Sequence, residues 1–296
     1  MKAAIIGCNG YLAKHLSAFL IEKGWLIYGY DTSEFPLIPI SKYNSIDISQ
    51  KNQLTKLEMD VDYIFYFAGI TGTLNAYDKY ESYIDINEKG LLNLLNQIRI
   101  SKSNARIIFP STRLVYKGIT DKELDENAEK EFKTIYALNK WFGEQIIQQY
   151  GNYFNLKYNI FRICVPYGNL FPNEYSYGTV GFFLNKAVAN ENIVLYGTGD
   201  QKRTFTHVED ICLQIYNAVI IPHTENKIYN IAGETFSLAQ IATQIAAKYN
   251  TQIEYKEWPE LDKKLESGDT IFDGKQILAV TKKPLKNLFY LWLLNL

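Results

Sequence analysis

The chain has 296 residues, 47% of them hydrophobic and 21% charged, enough to bury a sizeable core as one large α/β domain or as two lobes. A formal net charge of -1 with no Lys/Arg cluster argues against general polyanion binding, so no nucleic-acid partner is expected. Cys8, Cys164 and Cys212 are an odd, scattered set without paired metal spacing, which points to buried thiols in a reducing compartment and to no metal site. The apolar start from Met1 to Gly7 is too short for a signal peptide, and no run reaches membrane-spanning length, so a soluble cytoplasmic protein is expected.

Lys2 to Ile6 reads as a short buried strand that stops at Gly7. The turn Gly7-Cys-Asn-Gly10-Tyr-Leu-Ala13 leads into a helical pattern (Leu12, Leu16, Phe19, Leu20) with a stop at Gly24, and a second strand, Trp25 to Tyr30, ends in Asp31. Strand, glycine turn, helix, strand and acid is the order that a dinucleotide fold needs. The turn, including Asn9, Tyr11 and Leu12, would bring backbone close to a pyrophosphate at the helix N-terminus, and Ala13 is small enough for close helix–strand packing. Asp31 would accept hydrogen bonds from ribose hydroxyls and repel a 2′-phosphate, which favours NAD over NADP.

The alternation continues with strands expected at Tyr43 to Ile48, Val61 to Ala68 and Ala105 to Phe109, and a helix from Ile84 to Ile98 that contains Asn87. Such alternation implies a parallel sheet wound on both faces, with ligands at the C-terminal strand ends, where Gly69 and Thr112 lie. Asn87 is a poor helix former, and on pattern alone it could equally be a solvent-facing or bend residue. After the acidic segment Asp121 to Glu131, a helical run with Ile135, Leu138, Trp141, Phe142 and Ile146 carries Tyr136 and Lys140, four apart and therefore on one face. An ammonium held beside a phenol favours the phenolate and brings its pKa from about 10 toward a value useful for proton transfer.

Taken together, these residues resemble the extended short-chain dehydrogenase/reductase family, specifically its nucleotide-sugar epimerases and dehydratases. The matching positions are Gly7, Gly10, Ala13, Asp31, Asp47-Ile48, Phe67-Ala68-Gly69, Asn87, Ser111 to Tyr116, Tyr136, Lys140, and Arg162 to Gly168. They continue through Gly197 to Gly199, Arg203, Val208 to Asp210 and Tyr229 to Gly233, to about Ile277. The resemblance implies a Rossmann-type doubly wound parallel sheet over residues 1–168 and a smaller C-terminal α/β substrate-binding lobe over 169–296, with segments free to interleave. It implies that NAD is bound by Gly7, Asn9, Gly10, Tyr11, Leu12, Asp31, Asp47, Ile48, Phe67, Ala68, Gly69, Asn87, Tyr136 and Lys140. It implies a catalytic trio of Thr112, Tyr136 and Lys140, a nucleotide-diphosphate sugar as substrate held at Thr112, Arg203 and the Val165 position, and a homodimer built on the Asn87 and Tyr136 helices.

Departures from the family pattern narrow the reaction. Family 4,6-dehydratases carry Asp-Glu just after the threonine, where this chain has Arg113 and Leu114, and members that epimerise through a cysteine carry it at the Leu114 position. What remains is 4-epimerisation by oxidation and re-reduction, or reduction of a 4-keto sugar by NAD(P)H. A non-catalytic dinucleotide-binding protein is the reading from another class. An epimerase of this kind would fit surface polysaccharide synthesis. Val165 replaces an Asn found in many relatives, and Glu266 replaces a second Arg, which should weaken diphosphate binding unless Lys263 or Lys264 compensates. His207 has no metal-spaced partner and receives no role. The loop from Phe171 to Gly178 is turn-rich and precedes a helix, Val180 to Val188. The segment after Pro284 is apolar almost all round and too short to span a bilayer, so it reads as a packed terminal helix or an oligomer contact, with interfacial membrane attachment as the alternative.

Overall fold

The computed structural model describes residues 1–171 and 177–296, so most of the loop between Phe171 and Gly178 lies outside the described residues. The chain divides into two compact units: residues 1–115, 134–162 and 219–229 form the first, and residues 116–133, 163–218 and 230–296 form the second. The chain crosses between units five times, so segments on either side of residue 168 interleave. The two are described separately.

The first unit is built on a seven-stranded, mostly parallel sheet. Its strands are β1 (Lys2–Ile6), β2 (Leu26–Asp31), β3 (Lys42–Ser45), β4 (Tyr63–Tyr66), β5 (Arg106–Thr112), β6 (Tyr158–Ile163) and β7 (Lys227–Asn230), in the spatial order β7-β6-β5-β4-β1-β2-β3. The order runs outward from β1 in both directions, which opens a crevice at its C-terminal end. β1 pairs in parallel with β2 on one side and β4 on the other, with Ile6 opposite both Tyr30 and Tyr66. The inner strands β1, β4 and β5 read as nearly continuous apolar runs because both faces are covered, whereas the edge strand β3 is largely exposed. β5 is buried at all seven positions.

Three helices matter for the site: α1 (Tyr11–Glu22), α2 (Gly90–Ser101) and α3 (Ile135–Phe154). α2 and α3 lay Leu91, Leu94, Leu95 and Ile147 onto Ile64, Ile107, Phe109 and Ile160 of the sheet. Burying each such side chain is worth about 1.5–3 kcal/mol. At Gly143 a Cβ would come within 2.5 Å of the Phe109 ring, so the glycine lets α3 close onto β5. The helix expected from Ile84 departs from the α pattern. Residues Ile84–Lys89 form a π-helical turn before α2, and the Ile86 carbonyl accepts a hydrogen bond from the Tyr66 hydroxyl (3.0 Å). Widened turns of this kind occur mostly as single insertions at functional positions.

The second unit has a three-stranded sheet in which Lys202–His207 lies between Glu234–Ser237 (antiparallel) and Val165–Tyr167 (parallel). Two parallel pairs, Ile193–Tyr196 with Ile253–Lys256 and Glu123–Leu124 with Ile271–Phe272, complete its strands. Helices Gly178–Val188 and Leu238–Tyr249 accompany them, the latter opened by a capping box between Ser237 and Gln240. The apolar terminal segment docks within this unit. Phe289 and Leu293 are buried, and Phe289 and Trp292 pack edge-on or tilted against Tyr167. The approach is fixed by backbone N–H groups of Lys286 and Asn287 donating to Asp210 and that of Phe289 donating to Glu234. No helix among the described residues is long and apolar enough to cross a membrane.

Candidate functional site

The glycine turn sits where the physics of close approach demands it. Gly7 has φ +81°, and a Cβ there would fall 2.5 Å from the Ala68 backbone nitrogen, so no other residue lets the turn after β1 pass the end of β4. The helix that follows starts at Tyr11 with Gly10 as its N-cap, and no side chain caps it. Its first turn, Tyr11 and Leu12 included, therefore presents backbone N–H groups without a side-chain acceptor from the cap position, which suits an anion.

A cavity of about 460 Å³ opens beside this turn. It brings together nine of the residues assigned to the cofactor from the sequence: Gly7, Asn9, Gly10, Asp31, Asp47, Ile48, Phe67, Ala68 and Gly69. Asp31 closes one end: Oδ2 accepts the Asn9 backbone N–H at 3.0 Å, and Oδ1 lies 3.3 Å from the Ser33 N–H. Asp47 Oδ1 accepts from the backbone N–H (2.9 Å) and hydroxyl (2.8 Å) of Ser49. Glycine floor, uncapped helix end and a carboxylate at the second strand's end together fit a dinucleotide: the first two would receive a pyrophosphate, the third a ribose diol.

Asn87 is not on the cavity wall. It is buried, and its side-chain amide both accepts from the Ile70 N–H (2.8 Å) and donates to the Ile70 carbonyl (3.0 Å). It thereby acts as a piece of strand, pinning the loop after Gly69 from the π turn. Its amide also donates to Asn139 on α3, and Asn139 donates in turn to Glu88 (2.6 Å). Of the roles weighed from sequence, the structure shows a bend at the π turn and a buried side chain in place of a solvent-facing one.

Thr112 ends β5, and Tyr136 and Lys140 lie on α3, which reaches β5 through Lys140. The Thr134 hydroxyl caps α3 by accepting from the Ala137 N–H (3.1 Å), which fixes where Tyr136 leaves the helix. Lys140 is buried, with Nζ donating to the Pro110 carbonyl (2.9 Å), 4.7 Å from the Phe109 ring centre and 5.9 Å from that of Tyr136. Burial pulls the Lys140 pKa down from 10.5 to about 8, against an opposing pull from the Glu144 carboxylate. Thr112 Oγ1 accepts from the Leu114 N–H at 3.3 Å, the turn-capping role a threonine can also play. That bond takes one lone pair and leaves the O–H hydrogen to give.

Beneath Lys140 lies a network that sequence reasoning missed. Glu144, fully buried, is bracketed by Arg162 (Nε to Oε1, 2.9 Å; Nη2 to Oε2, 2.6 Å) and receives the Ser111 hydroxyl. The signal was present: the four-residue step from Tyr136 to Lys140 reaches Glu144 on the same helix face. In the second unit, Arg203 is 2% exposed and ion-paired to Glu266, with its Nη1 also donating to the carbonyls of Lys202 (2.9 Å) and Gly268. Val165 is buried in the three-stranded sheet, in register with Phe205. No group of three His, Cys, Asp or Glu able to hold a metal occurs among the described residues.

Relatives share this frame while differing in chemistry. CDP-paratose 2-epimerase of Salmonella typhi is 27% identical over 267 residues, 79% of this chain and 79% of that protein. A putative UDP-glucose 4-epimerase of Methanocaldococcus jannaschii is 25% identical over 232 residues, 77% of this chain and 75% of that one. Among solved structures, UDP-glucose 4-epimerase of Thermotoga maritima with UDP-glucose superposes with a TM-score of 0.85 at 19% identity, over 99% of this chain and 96% of that one, which establishes the fold. A family model described as the NAD dependent epimerase/dehydratase family matches residues 3–232. Because that match takes in most of the chain, the protein belongs to the NAD-dependent epimerase/dehydratase family.

Proposed function

We propose that the protein is an NAD-dependent nucleotide-sugar 4-epimerase, which oxidises a sugar C4 hydroxyl to a 4-keto intermediate and reduces it from the other face. The observation that carries this reading is the buried Lys140, with no direct ion pair among the described residues and set beside Tyr136 on one helix face. A charge in that position stabilises the phenolate of Tyr136, which removes the sugar hydroxyl proton and returns it. Thr112 gives its hydroxyl hydrogen to the sugar oxygen as it becomes a carbonyl. Two donor positions of the Lys140 ammonium remain beyond the Pro110 bond for a ribose hydroxyl. NAD, when bound, supplies the acceptor and then the donor of the hydride.

Arg113 and Leu114 follow Thr112, so the chain offers no carboxylate there for an elimination, which favours epimerisation over dehydration. Asp31 at the end of β2 supports NAD over NADP through its charge. A soluble, cytoplasmic homodimer acting in polysaccharide synthesis is the setting that fits this reaction.

The test is to denature freshly purified protein, identify and count released nicotinamide nucleotide by mass spectrometry, and then assay UDP-, CDP-, dTDP- and GDP-sugars for exchange at C4. Near-stoichiometric NAD with C4 inversion of one sugar is the expected result. An empty protein that binds NADPH or NADH reversibly and reduces a 4-keto sugar would replace the epimerase by a reductase. Binding of neither cofactor would leave a protein without redox chemistry.

A further inference from the structure

The second unit holds a cavity of about 1230 Å³, and one stretch of its wall is Glu266, Ser267, Gly268 and Asp269. Arg203 lies behind that wall, its side chain 2% exposed against 22% for Glu266. The Glu266 carboxylate is not a loose surface group. Its Oε1 accepts the Arg203 Nη2 and also the Gly268 backbone N–H at 3.0 Å, while its own carbonyl receives Lys133 Nζ at 2.8 Å.

Three of the cavity's four lysines are held differently. Lys202 pairs with Asp121, Lys133 with Glu131 (3.4 Å) and Lys117 with Glu129 (2.9 Å), each with a third or more of its side chain exposed. Exposed pairs of that kind are worth about 0–1 kcal/mol and yield readily to a competing anion. A buried guanidinium fixed to a carboxylate and two carbonyls does not, because freeing it leaves a charge without a counter-charge. The most directional phosphate-binding group beside this cavity is thus satisfied from within the chain, by an anion on the wall.

We propose that Glu266 sets the ligand specificity of this cavity: its carboxylate holds the Arg203 guanidinium in place of a ligand phosphate, so a nucleotide sugar is gripped by its base and sugar and little by its diphosphate. The inference rests on the reading that the chain takes a nucleoside diphosphate sugar, but it concerns only how that ligand is held. Repulsion by the Glu266 charge and occupation of Arg203 act in the same direction, and removing the charge relieves both.

Calorimetric titration of the whole protein with UDP, CDP, GDP and dTDP and with their parent nucleosides tests this without turnover. In the wild type, the nucleotide that binds should be less than about tenfold tighter than its nucleoside, whereas a diphosphate seated on an arginine fork earns more than that. Glu266→Gln, and Glu266→Ala as a second variant, should tighten the diphosphate about tenfold or more and leave the nucleoside unchanged. Adding Arg203→Met to Glu266→Gln should abolish the gain. A wild-type diphosphate more than about tenfold tighter than its nucleoside overturns the proposal. So does a lack of gain in both variants at unchanged melting temperature, a gain that survives Arg203→Met, or no nucleotide binding by any form. If the variants do not fold, the wild-type comparison decides alone. A reductase in place of an epimerase would change none of these outcomes.

Discussion

Lys140 and Arg203 are both buried cations, and the protein deals with their burial in opposite ways. Lys140 keeps a carbonyl at 2.9 Å and, among the described residues, no direct ion pair, because the nearby carboxylate, Glu144, is already bracketed by Arg162. Arg203 has Glu266 directly on its guanidinium and two carbonyls besides. An uncompensated buried charge is held at a pKa useful for chemistry, whereas a compensated one is structural until its partner is removed. Under the proposed function the contrast separates a position suited to proton chemistry from one suited to controlling how a ligand is held.

The sharpest way to break the contrast is to remove each feature of the reactive pair. Tyr136→Phe takes away the hydroxyl and should lower turnover about 10²–10⁴-fold, measured with the sugar identified in the substrate panel. Lys140→Met should lower turnover by a similar factor without lowering the melting temperature at neutral pH, because an apolar chain of similar length replaces a charge that burial disfavours. A variant that melted well below wild type would show that Lys140 is a structural cation like Arg203, and the comparison would collapse.

Glu144→Gln attacks the other side of the same site. It leaves Arg162, 2% exposed, without its counter-charge, and should cost about 3–5 kcal/mol in denaturant unfolding. Because the Glu144 charge opposes the burial effect on Lys140, its loss should also move the Lys140 titration to lower pH, which a bystander structural residue would not do. Unchanged alkaline behaviour of turnover in a folded variant would disconnect the network from catalysis. A smaller effect is expected at the cofactor end. Asp31→Ala removes a charged acceptor and should shift the NAD-to-NADP preference by about tenfold toward NADP, read by titrating both into the empty protein. An unchanged preference would mean that Asp31 serves only the Asn9 and Ser33 N–H groups it already accepts from.

What was legible in the sequence is what is local in it. The turn Gly7 to Ala13 and the Tyr136–Lys140 face are set by steps of three or four residues, and the apolar strand runs by short windows, so pattern and structure agree there. The expected strand Tyr43 to Ile48 shortens to Lys42–Ser45, since Asp47 turns the chain through its bonds to Ser49. Asn87 was ambiguous because its partner, Ile70, is 17 residues away and the π turn that aims it has no compositional mark. The Arg203–Glu266 pair spans 63 residues, and from the sequence Glu266 registers only as a residue of the wrong charge. The five crossings between units likewise depend on strand pairings such as Glu123–Leu124 with Ile271–Phe272, which no window contains.

The finest test of the comparison is thermodynamic. Lys140 has a folded-state pKa of about 8 against 10.5 as its ordinary value. Below pH 8 both the folded and the unfolded chain carry the proton, and the full penalty of the buried charge is present. Between about 8 and 10.5 the folded chain has released the proton while the unfolded chain still holds it, so stability from this group rises with pH. Lys140→Met lacks that rise. Measured by urea unfolding at pH 7 and pH 9, its stability advantage over wild type should narrow by about 1 kcal/mol, as the slope over one pH unit above the folded pKa requires. Arg203 offers no such handle, since a guanidinium does not titrate in that range. A constant difference between the two pH values would mean that Lys140 keeps its proton in the fold, and that the ammonium is compensated after all.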